Sequence, residues 1–266
     1  MDFTMFYGMS HNPFDKTAPK VVETIDFKEM NVRLKYLTNV LGIGLITGRP
    51  GAGKTVILRE YAQRLNPNQY RVSYLPLSTV SVSDFYNQLA VSLGIEPAFR
   101  KSAKFRQIQE RISELHDVEH ITPVFILDEA QYLSGLIYNE LVLLTNFGMD
   151  AENKCLIILA GLPQLTQLLQ RPQFEAFRQR ITIKYQVVGM EYADSQQYVK
   201  EKFSSAGVLD DIITDEALKN MFTNSGGSIR RLDQMITKSL IIGAQQEKRL
   251  IDNEVVYQAN AEVALG

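Results

Sequence analysis

Residues 48–55 read Gly48-Arg49-Pro50-Gly51-Ala52-Gly53-Lys54-Thr55, and they set the architecture of the chain. They fit the pattern Gly-x-x-x-x-Gly-Lys-Ser/Thr at every fixed position, which is the pattern of a phosphate-binding loop. The glycines let successive backbone N–H groups point at phosphate oxygens, and the following helix adds the partial positive charge of its N-terminus. An apolar segment before the loop predicts a buried strand, and the segment after it predicts a helix. We therefore expect the loop, through Val56, to bind a nucleotide.

A second motif completes this site. The apolar segment Val124–Leu127 ends in two adjacent carboxylates, Asp128 and Glu129. Ligands of parallel sheets bind at the carboxyl ends of the strands, so these acids are expected beside the phosphate loop. Lys54 would reach the β- and γ-phosphates, and Thr55 and Asp128 would hold Mg²⁺. Glu129 would orient and deprotonate the attacking water. The predicted cofactors are ATP and Mg²⁺. ATP is favoured over GTP, because no Asn-Lys-x-Asp element for guanine follows.

The composition narrows the class of protein. The chain has 266 residues, of which 45% are hydrophobic, enough to bury a sizeable core. Its 28 basic and 30 acidic residues leave a net charge of -2, so any contact with nucleic acid must come from a local patch. A single cysteine, Cys155, excludes an internal disulfide. The N-terminus lacks the features of a signal peptide, and the apolar runs are too short for a bilayer. We expect a cytoplasmic protein with no membrane partner.

Strand and helix signals alternate along the middle of the chain. This pattern predicts an α/β fold with a parallel five-stranded sheet and helices on both faces. The strand signals stop after Gly189, and four helical segments follow, so we expect a small all-helical lid subdomain. The predicted organisation is an N-terminal arm and helix on the nucleotide site (1–40), an ATPase α/β subdomain (41–188) and the lid (189–266).

Five segments, taken in order, carry a resemblance to a known family. They are Phe6-Tyr7-Gly8 with Asn12-Pro13-Phe14, Asp128-Glu129-Ala130-Gln131, Ala160-Gly161-Leu162-Pro163-Gln164-Leu165, Phe177-Arg178-Gln179-Arg180-Ile181, and Gly227-Ser228-Ile229-Arg230-Arg231-Leu232. Together with the phosphate loop, they resemble AAA+ ATPases of the ExeA/TnsC-like group. This group includes the bacterial transposition helper ATPases similar to TnsC, MuB and IstB.

The resemblance implies roles for three arginines and two aromatic residues. Arg178 or Arg180 would be an arginine finger that reaches the γ-phosphate of a neighbouring subunit in a homo-oligomeric ring or helical filament. Read without the resemblance, these arginines would cap the C-terminus of a helix. Arg230 would contact the nucleotide of its own subunit from the lid. Phe6 and Phe14 would lie near the adenine base.

One segment departs from the family pattern. The position after the fourth strand usually carries a polar side chain, but Ala160–Pro163 offers none. The sequence leaves two alternatives open: Gln164 substitutes for that side chain, or ATP hydrolysis is slow.

A basic segment is the candidate DNA-binding surface. Residues 99–112 contain the cations Arg100, Lys101, Lys104, Arg106 and Arg111, against a single acid. Lys and Arg contacts to phosphates would give sequence-independent, salt-sensitive binding to double-stranded DNA. The alternative is a solvated helix face, which is what most charge runs are.

The leading functional hypothesis is an ATP-dependent, DNA-binding regulator of transposition. It would oligomerise on DNA with ATP, recruit or activate a transposase, and disassemble on hydrolysis. The alternatives are an ExeA-type ATPase for secretion-complex assembly and a nucleotide-gated signalling switch. The secretion role is placed second, because a membrane segment and a periplasmic part are expected for it and these residues show neither. A small-molecule kinase would not need Glu129, an arginine finger or a helical lid.

Overall fold

The computed structural model describes residues 2–15, 21–76 and 81–263. Residue 1 and residues 16–20 of the expected arm lie outside the described residues. The helices are α1 Phe3–Phe6, α2 Ile25–Val40, α3 Lys54–Arg64, α4 Val82–Ser92, α5 Lys101–Ser113, α6 Gly135–Leu144, α7 Pro163–Leu169, α8 Glu175–Gln179, α9 Tyr192–Ser205, α10 Asp215–Ser225, α11 Ile229–Gln245 and α12 Asn253–Val263. The strands are β1 Gly42–Gly48, β2 Tyr70–Pro76, β3 Thr122–Asp128, β4 Leu156–Gly161 and β5 Ile181–Val187.

The five strands form one parallel sheet in the order β2-β3-β4-β1-β5, which confirms the prediction. Strand β4 lies between β3 and β1, and Leu156 pairs with Val124 on one side and with Gly42 on the other. Because all strands run in the same direction, the carboxyl ends of β1, β3 and β4 meet at one edge of the sheet. That edge therefore collects Gly48, Asp128 and Gly161.

Helices cover both faces of the sheet, as predicted. Alternate strand residues such as Ile43 and Leu45 pack in one buried cluster with the side chains of α4 to α8. On the other face, a Cβ added to Gly44 would lie 2.7 Å from Leu37 of α2, so the helix approaches the strand closely. The connection from β1 to β2 runs across the sheet in the opposite direction to the later connections. Right-handed crossovers then place α3 on the opposite face from α4 to α8.

The chain divides into two compact units. The sheet unit comprises Glu29–Gly48 and Lys54–Val187, and the helical unit comprises Met1–Lys28, Arg49–Gly53 and Val188–Gly266. The helical unit has its own core, in which Tyr7, Met9 and Phe14 pack among the side chains of α9 to α12. The helical C-terminal region that the sequence predicts is present. Its action as a lid, and the subdomain limits 1–40, 41–188 and 189–266, remain predictions.

The N-terminal arm contains one element that the sequence analysis treats as irregular. Residues 3–6 form the short helix α1, because the Asp2 carboxylate accepts hydrogen bonds from the backbone N–H and the hydroxyl of Thr4. Such a side-chain cap satisfies an N–H group that has no partner inside the helix. None of the described helices is long and apolar enough to cross a bilayer.

Candidate nucleotide-binding and hydrolysis site

The phosphate loop connects the end of β1 to the start of α3. Within it, Gly51 and Gly53 have φ of +75° and +100°, values that residues with a Cβ rarely adopt. The positive φ values let the backbone fold into a tight loop. This local conformation matches the role that the sequence motif predicts for the loop.

Lys54 is the first residue of α3, and only 8% of it is exposed. Its ammonium donates a hydrogen bond of 2.8 Å to the carbonyl oxygen of Gly48, the last residue of β1. A buried ammonium needs acceptors, and this carbonyl supplies one at the mouth of the loop. The charge of Lys54 is therefore held next to the place that the motif assigns to the phosphates.

Three groups converge on the carboxylate of Asp128, which ends β3 and is 4% exposed. Its Oδ2 accepts hydrogen bonds from the Thr55 hydroxyl at 3.0 Å and from the Tyr74 hydroxyl at 2.9 Å. Its Oδ1 accepts one from the backbone N–H of Glu129 at 2.9 Å. Burial, and then the bond to Asp128, raise the pKa of Tyr74 to about 12, so its phenol stays a donor at neutral pH.

The donor set at this point fits a magnesium ion. Mg²⁺ prefers hard oxygen ligands and is usually held by one or two protein groups together with phosphates and water. The Thr55 hydroxyl and the Asp128 carboxylate, 3.0 Å apart, are such a pair. These two residues would hold Mg²⁺, and the ion would neutralise charge on the bound phosphates.

Glu129 follows directly and has a left-handed backbone with φ of +53°. Its carboxylate is solvent-exposed and accepts a hydrogen bond of 2.6 Å from the side-chain amide of Gln131. The carbonyl oxygen of the same amide accepts one of 3.0 Å from the N–H of Leu162, just beyond β4. Gln164, the substitute in one of the two alternatives, is exposed on the first turn of α7. The amide that the structure brings to the end of β4 is therefore that of Gln131.

Residues 40–169 match the family model described as an AAA domain. The chain contains an AAA domain. The matched segment holds the phosphate loop and the Asp128–Glu129 pair. The AAA fold, with a phosphate loop of this kind, implies nucleotide binding.

Two relatives confirm the resemblance to the ExeA/TnsC-like group. "General secretion pathway protein A" of Aeromonas hydrophila is 28% identical over 265 residues, which are 97% of this chain and 48% of that protein. "ATP-dependent target DNA activator B" of Escherichia phage Mu is 32% identical over 127 residues, which are 47% of this chain and 38% of that protein. The chain spans about half or less of the length of these relatives.

Solved structures of other AAA-type proteins share the fold. Cdc6p from Pyrobaculum aerophilum matches with a TM-score of 0.71 at 15% identity, over 94% of this chain and 70% of that chain. The Aeropyrum pernix ORC2 protein matches with a TM-score of 0.69 at 16% identity, over 95% and 71%. The Thermotoga maritima RuvB branch-migration motor matches with a TM-score of 0.57 at 18% identity, over 94% and 72%. At these identities, the likeness concerns the fold alone.

The start of α11 contacts the phosphate loop within the helical unit. The backbone N–H of Arg230 donates to the carbonyl of Gly51 at 3.3 Å, and the Ser228 hydroxyl donates to that of Pro50 at 3.4 Å. A Cβ on Gly51 would lie 2.3 Å from the Ser228 hydroxyl, so the glycine also makes room for this contact. Arg230 is thus anchored through its backbone beside the loop, with an exposed side chain. Its contact with nucleotide remains a prediction.

The two candidate finger arginines of the sheet unit have different surroundings. The guanidinium of Arg178 donates to the carbonyls of Leu169 and Arg171 at 2.7 and 2.9 Å, at the C-terminal end of α7. This matches the helix-capping alternative. Arg180 forms an ion pair with the exposed carboxylate of Asp150. Neither contact tests a role between subunits.

The aromatic residues of the arm pack inside the helical unit. The ring of Phe6 lies edge-on to Tyr7, with the centroids 4.9 Å apart, and under the guanidinium of Arg249. The ring of Phe14 lies 5.1 Å from that of Phe203 in α9. The expected contact of Phe6 and Phe14 with adenine remains a prediction.

The basic segment divides into buried, paired and open cations. Lys104 is 5% exposed and donates to the Ser83 hydroxyl at 2.9 Å, so its ammonium is unavailable to a phosphate in this conformation. Lys101 pairs with Glu140, and its side chain is half exposed. Arg100 is exposed, and Arg106 is 76% exposed with a weak contact of 3.8 Å to Glu110. The expected DNA surface therefore reduces to Arg100, Lys101 and Arg106.

Sequence reasoning missed three residues of this site: Tyr74, Gln131 and Ser228. Tyr74 lies near the carboxyl end of β2, which pairs with β3, but its reach to Asp128 depends on the register of the two strands. Gln131 belongs to the Asp128–Gln131 segment of the family resemblance, which assigns it no role. Ser228 has a detectable signal, because a serine before a helix is a typical N-cap.

Proposed function

We propose that the protein hydrolyses ATP to ADP and phosphate. The observation that carries this proposal is the clustering of four groups at one edge of the sheet. Lys54 is held at the mouth of the loop, Thr55 and Asp128 are in contact, and Glu129 follows Asp128. Lys54 and Mg²⁺ would neutralise charge on the γ-phosphate, and Glu129 would take the proton of the attacking water. Catalysis of this kind is mostly positioning and electrostatic stabilisation.

The wider role that we propose is ATP-dependent regulation of DNA transposition. ATP would promote a homo-oligomeric ring or filament on double-stranded DNA, the assembly would recruit or activate a transposase, and hydrolysis would disassemble it. The phage relative, named as an ATP-dependent activator of target DNA, supports this role. Because regulation of transposition needs both ATP and DNA, we propose a cytoplasmic location.

The exposed cations Arg100, Lys101 and Arg106 are the proposed contact with the DNA backbone. They lie at or near the start of α5, where the partial positive charge of the helix N-terminus adds to their own and favours a bound anion. The rest of the chain has a balanced charge, so this patch would hold DNA by phosphate contacts without reading its sequence.

A finger in trans completes the proposed mechanism. We favour Arg180 over Arg178, because Arg178 already satisfies two carbonyls at the end of α7, whereas Arg180 pairs with an exposed carboxylate. The Asp150 side chain is 55% exposed and that of Arg180 is 20% exposed, so Arg180 would give up one partly solvated partner to reach a phosphate.

The second candidate is an ATPase that assembles a secretion complex. It is favoured by the match to General secretion pathway protein A, which extends over 97% of this chain, whereas the phage match extends over 47%. A nucleotide-gated switch is the third reading, and slow or absent turnover would favour it.

Particle size in solution separates these candidates. We would measure light scattering with and without duplex DNA, in ATP, ADP and a non-hydrolysable analogue, at low and high salt. The Glu129→Gln variant is the matched control, since it should bind ATP and assemble but not disassemble. Large DNA-bound particles that need triphosphate and fade with salt are the expected result. ATP binding without any effect of DNA would exclude the transposition role and leave the secretion and signalling roles.

A further inference from the structure

We infer that Gln131 is a positioning residue, which holds the Glu129 carboxylate in place from the end of β4. The inference rests on the proposed ATP hydrolysis and names the group that prepares its catalytic base. Gln131 belongs to the short turn Ala130–Tyr132, and Tyr138 fixes this turn by donating its hydroxyl proton to the carbonyl of Ala130 at 2.5 Å.

The side-chain amide of Gln131 bridges the backbone N–H of Leu162 and the carboxylate of Glu129. The Leu162 N–H can only donate, and the ionised Glu129 carboxylate can only accept. An amide offers one acceptor and one donor group, so a single orientation satisfies both neighbours. Its oxygen receives Leu162 N–H at 3.0 Å, and its nitrogen donates to Glu129 Oε2 at 2.6 Å. The orientation of the amide is therefore fixed by the chemistry of its partners.

The end of β4 supplies no polar side chain for this task. Ala160, Gly161 and Leu162 offer only backbone groups. The Leu162 N–H lies next in the chain after the strand, so its position is set by the sheet. Through the amide of Gln131, this N–H fixes the position of the exposed carboxylate of Glu129, which lies two residues before Gln131 in the chain.

Gly161 shows that the approach of the amide is close. A Cβ added there would lie 2.6 Å from Gln131 Oε1 and 2.9 Å from a methyl group of Leu165. Gly161 has no positive φ, so its backbone would tolerate alanine. Space for the Gln131 amide and Leu165 is what requires glycine at this position.

Steady-state turnover and nucleotide affinity of Gln131→Leu test the inference, with Gln164→Leu as the matched control. Leucine is similar in size but cannot bridge, so we expect kcat to fall by about 10- to 100-fold, a part of the roughly 100- to 10,000-fold that a general base contributes. The Kd for a non-hydrolysable ATP analogue should stay within about twofold, since Gln131 has no contact with Lys54 or Thr55 among the hydrogen bonds of the described residues. Gln164→Leu removes an exposed amide from α7 and should leave kcat unchanged. Equal effects in the two variants would overturn the inference.

A conservative variant separates positioning from a structural role. Gln131→His keeps one donor and one acceptor, so it should recover part of the rate that Gln131→Leu loses. A rate for Gln131→His no higher than that of Gln131→Leu, with the fold intact, would contradict the inference.

Gly161→Ala tests the same contact from the other side. It should lower kcat as Gln131→Leu does, because the new methyl group displaces the amide. In a Gln131→Ala background, the same substitution should have little further effect on kcat, since there is no amide left to displace. Additive losses would show that Gly161 acts through Leu165 instead.

A readout without turnover keeps this inference separate from the proposed function. The NMR signals of the Leu162 amide and the Glu129 carboxyl carbon should both move in Gln131→Leu and stay in place in Gln164→Leu. Absent turnover in the wild type with these shifts present would sink ATP hydrolysis and retain the bridge. Absent shifts would sink the bridge itself.

Discussion

At the scale of single residues, the Asp128 carboxylate is the most heavily shared group of the site. Thr55 and Tyr74 donate to the same oxygen, and the Glu129 N–H donates to the other. The Thr55 hydroxyl and Asp128 would hold Mg²⁺, and Tyr74 would then fix the orientation of the carboxylate. We therefore expect Tyr74 to affect the metal through Asp128.

The substitution Tyr74→Phe should weaken binding of Mg²⁺–ATP. A hydrogen bond to a charged group contributes about 1.5–3 kcal/mol, so affinity should fall by roughly 10- to 100-fold in magnesium. Binding of ATP in the presence of a chelator should change much less, since Tyr74 contacts Asp128, the proposed ligand of Mg²⁺. Titration with a fluorescent nucleotide in both conditions measures the difference. Tyr70→Phe, at the other end of β2, is the control, and an equal loss there would contradict the role of Tyr74.

At the scale of elements, α5 separates cations available to DNA from cations that stabilise the fold. Arg106 is largely exposed, whereas Arg111 on the same helix is 20% exposed and pairs with Glu114 and Glu119. The Arg111 pairs lie at the helix end, where they tie α5 to the turn that follows. We therefore expect the two arginines to differ in their effect on DNA.

Arg106→Ala should weaken binding to duplex DNA, and Arg111→Ala should not. Loss of one phosphate contact should make the slope of log K against log salt less negative by about 0.9. Anisotropy titrations with labelled duplex at several salt concentrations, in the non-hydrolysable analogue, give this slope. Equal slopes for wild type and Arg106→Ala would remove Arg106 from the proposed surface.

The helical unit contains a half-buried acidic group on α11. Asp233 accepts a hydrogen bond of 2.8 Å from the Tyr198 hydroxyl of α9. Burial raises the pKa of Asp233 to about 7, although the bond from Tyr198 and the nearby Lys202 charge act in the opposite direction. Burial lowers the pKa of Lys202, although the Asp233 charge acts in the opposite direction.

This raised pKa predicts how stability depends on pH. In the folded protein, Asp233 keeps its proton up to about pH 7, whereas in the unfolded chain it loses the proton near its ordinary value of 3.8. The stabilising contribution is complete below that value and is lost as pH rises to about 7. It amounts to at most about 4 kcal/mol. Urea unfolding between pH 4 and 8 should show a flatter profile for Asp233→Asn than for wild type. Identical profiles would contradict the prediction.

At the scale of the whole molecule, the proposed finger makes each site depend on two copies of the chain. Lys54 acts on its own nucleotide, while Arg180 would act on the nucleotide of its neighbour. A variant without Lys54 keeps an intact Arg180, and a variant without Arg180 keeps an intact Lys54.

Mixing Lys54→Ala with Arg180→Ala should therefore restore ATP turnover that neither variant has alone. With random assembly of equal amounts, about a quarter of the interfaces would combine an intact Lys54 with an intact Arg180. Phosphate release from the two variants, separately and mixed, measures this recovery. Arg178→Ala serves as the comparison, and we expect a lower Tm for it because two carbonyls at the end of α7 lose their donor. No recovery on mixing would exclude Arg180 as a finger in trans.

The sequence by itself determined the fold and named the residues of the candidate phosphate site. The loop pattern, the apolar strands and the Asp128–Glu129 pair are local signals, because each depends on residues that are neighbours in the chain. A βα alternation with a phosphate loop permits few arrangements other than a parallel sheet with the site at the carboxyl ends of its strands. The order of the strands, with β4 between β3 and β1, does not follow from these local signals.

Only the tertiary structure decided which side chains support that site. Tyr74 reaches Asp128, 54 positions away in the chain, and Gln131 reaches Leu162, 31 positions away. Outside that site, Lys104 reaches Ser83, 21 positions away. The same structure removed Lys104 from the expected DNA surface by burying it. Contacts of this kind depend on strand register and on which face of a helix is covered. Both are set by packing of the whole core and leave no periodic mark in the local sequence.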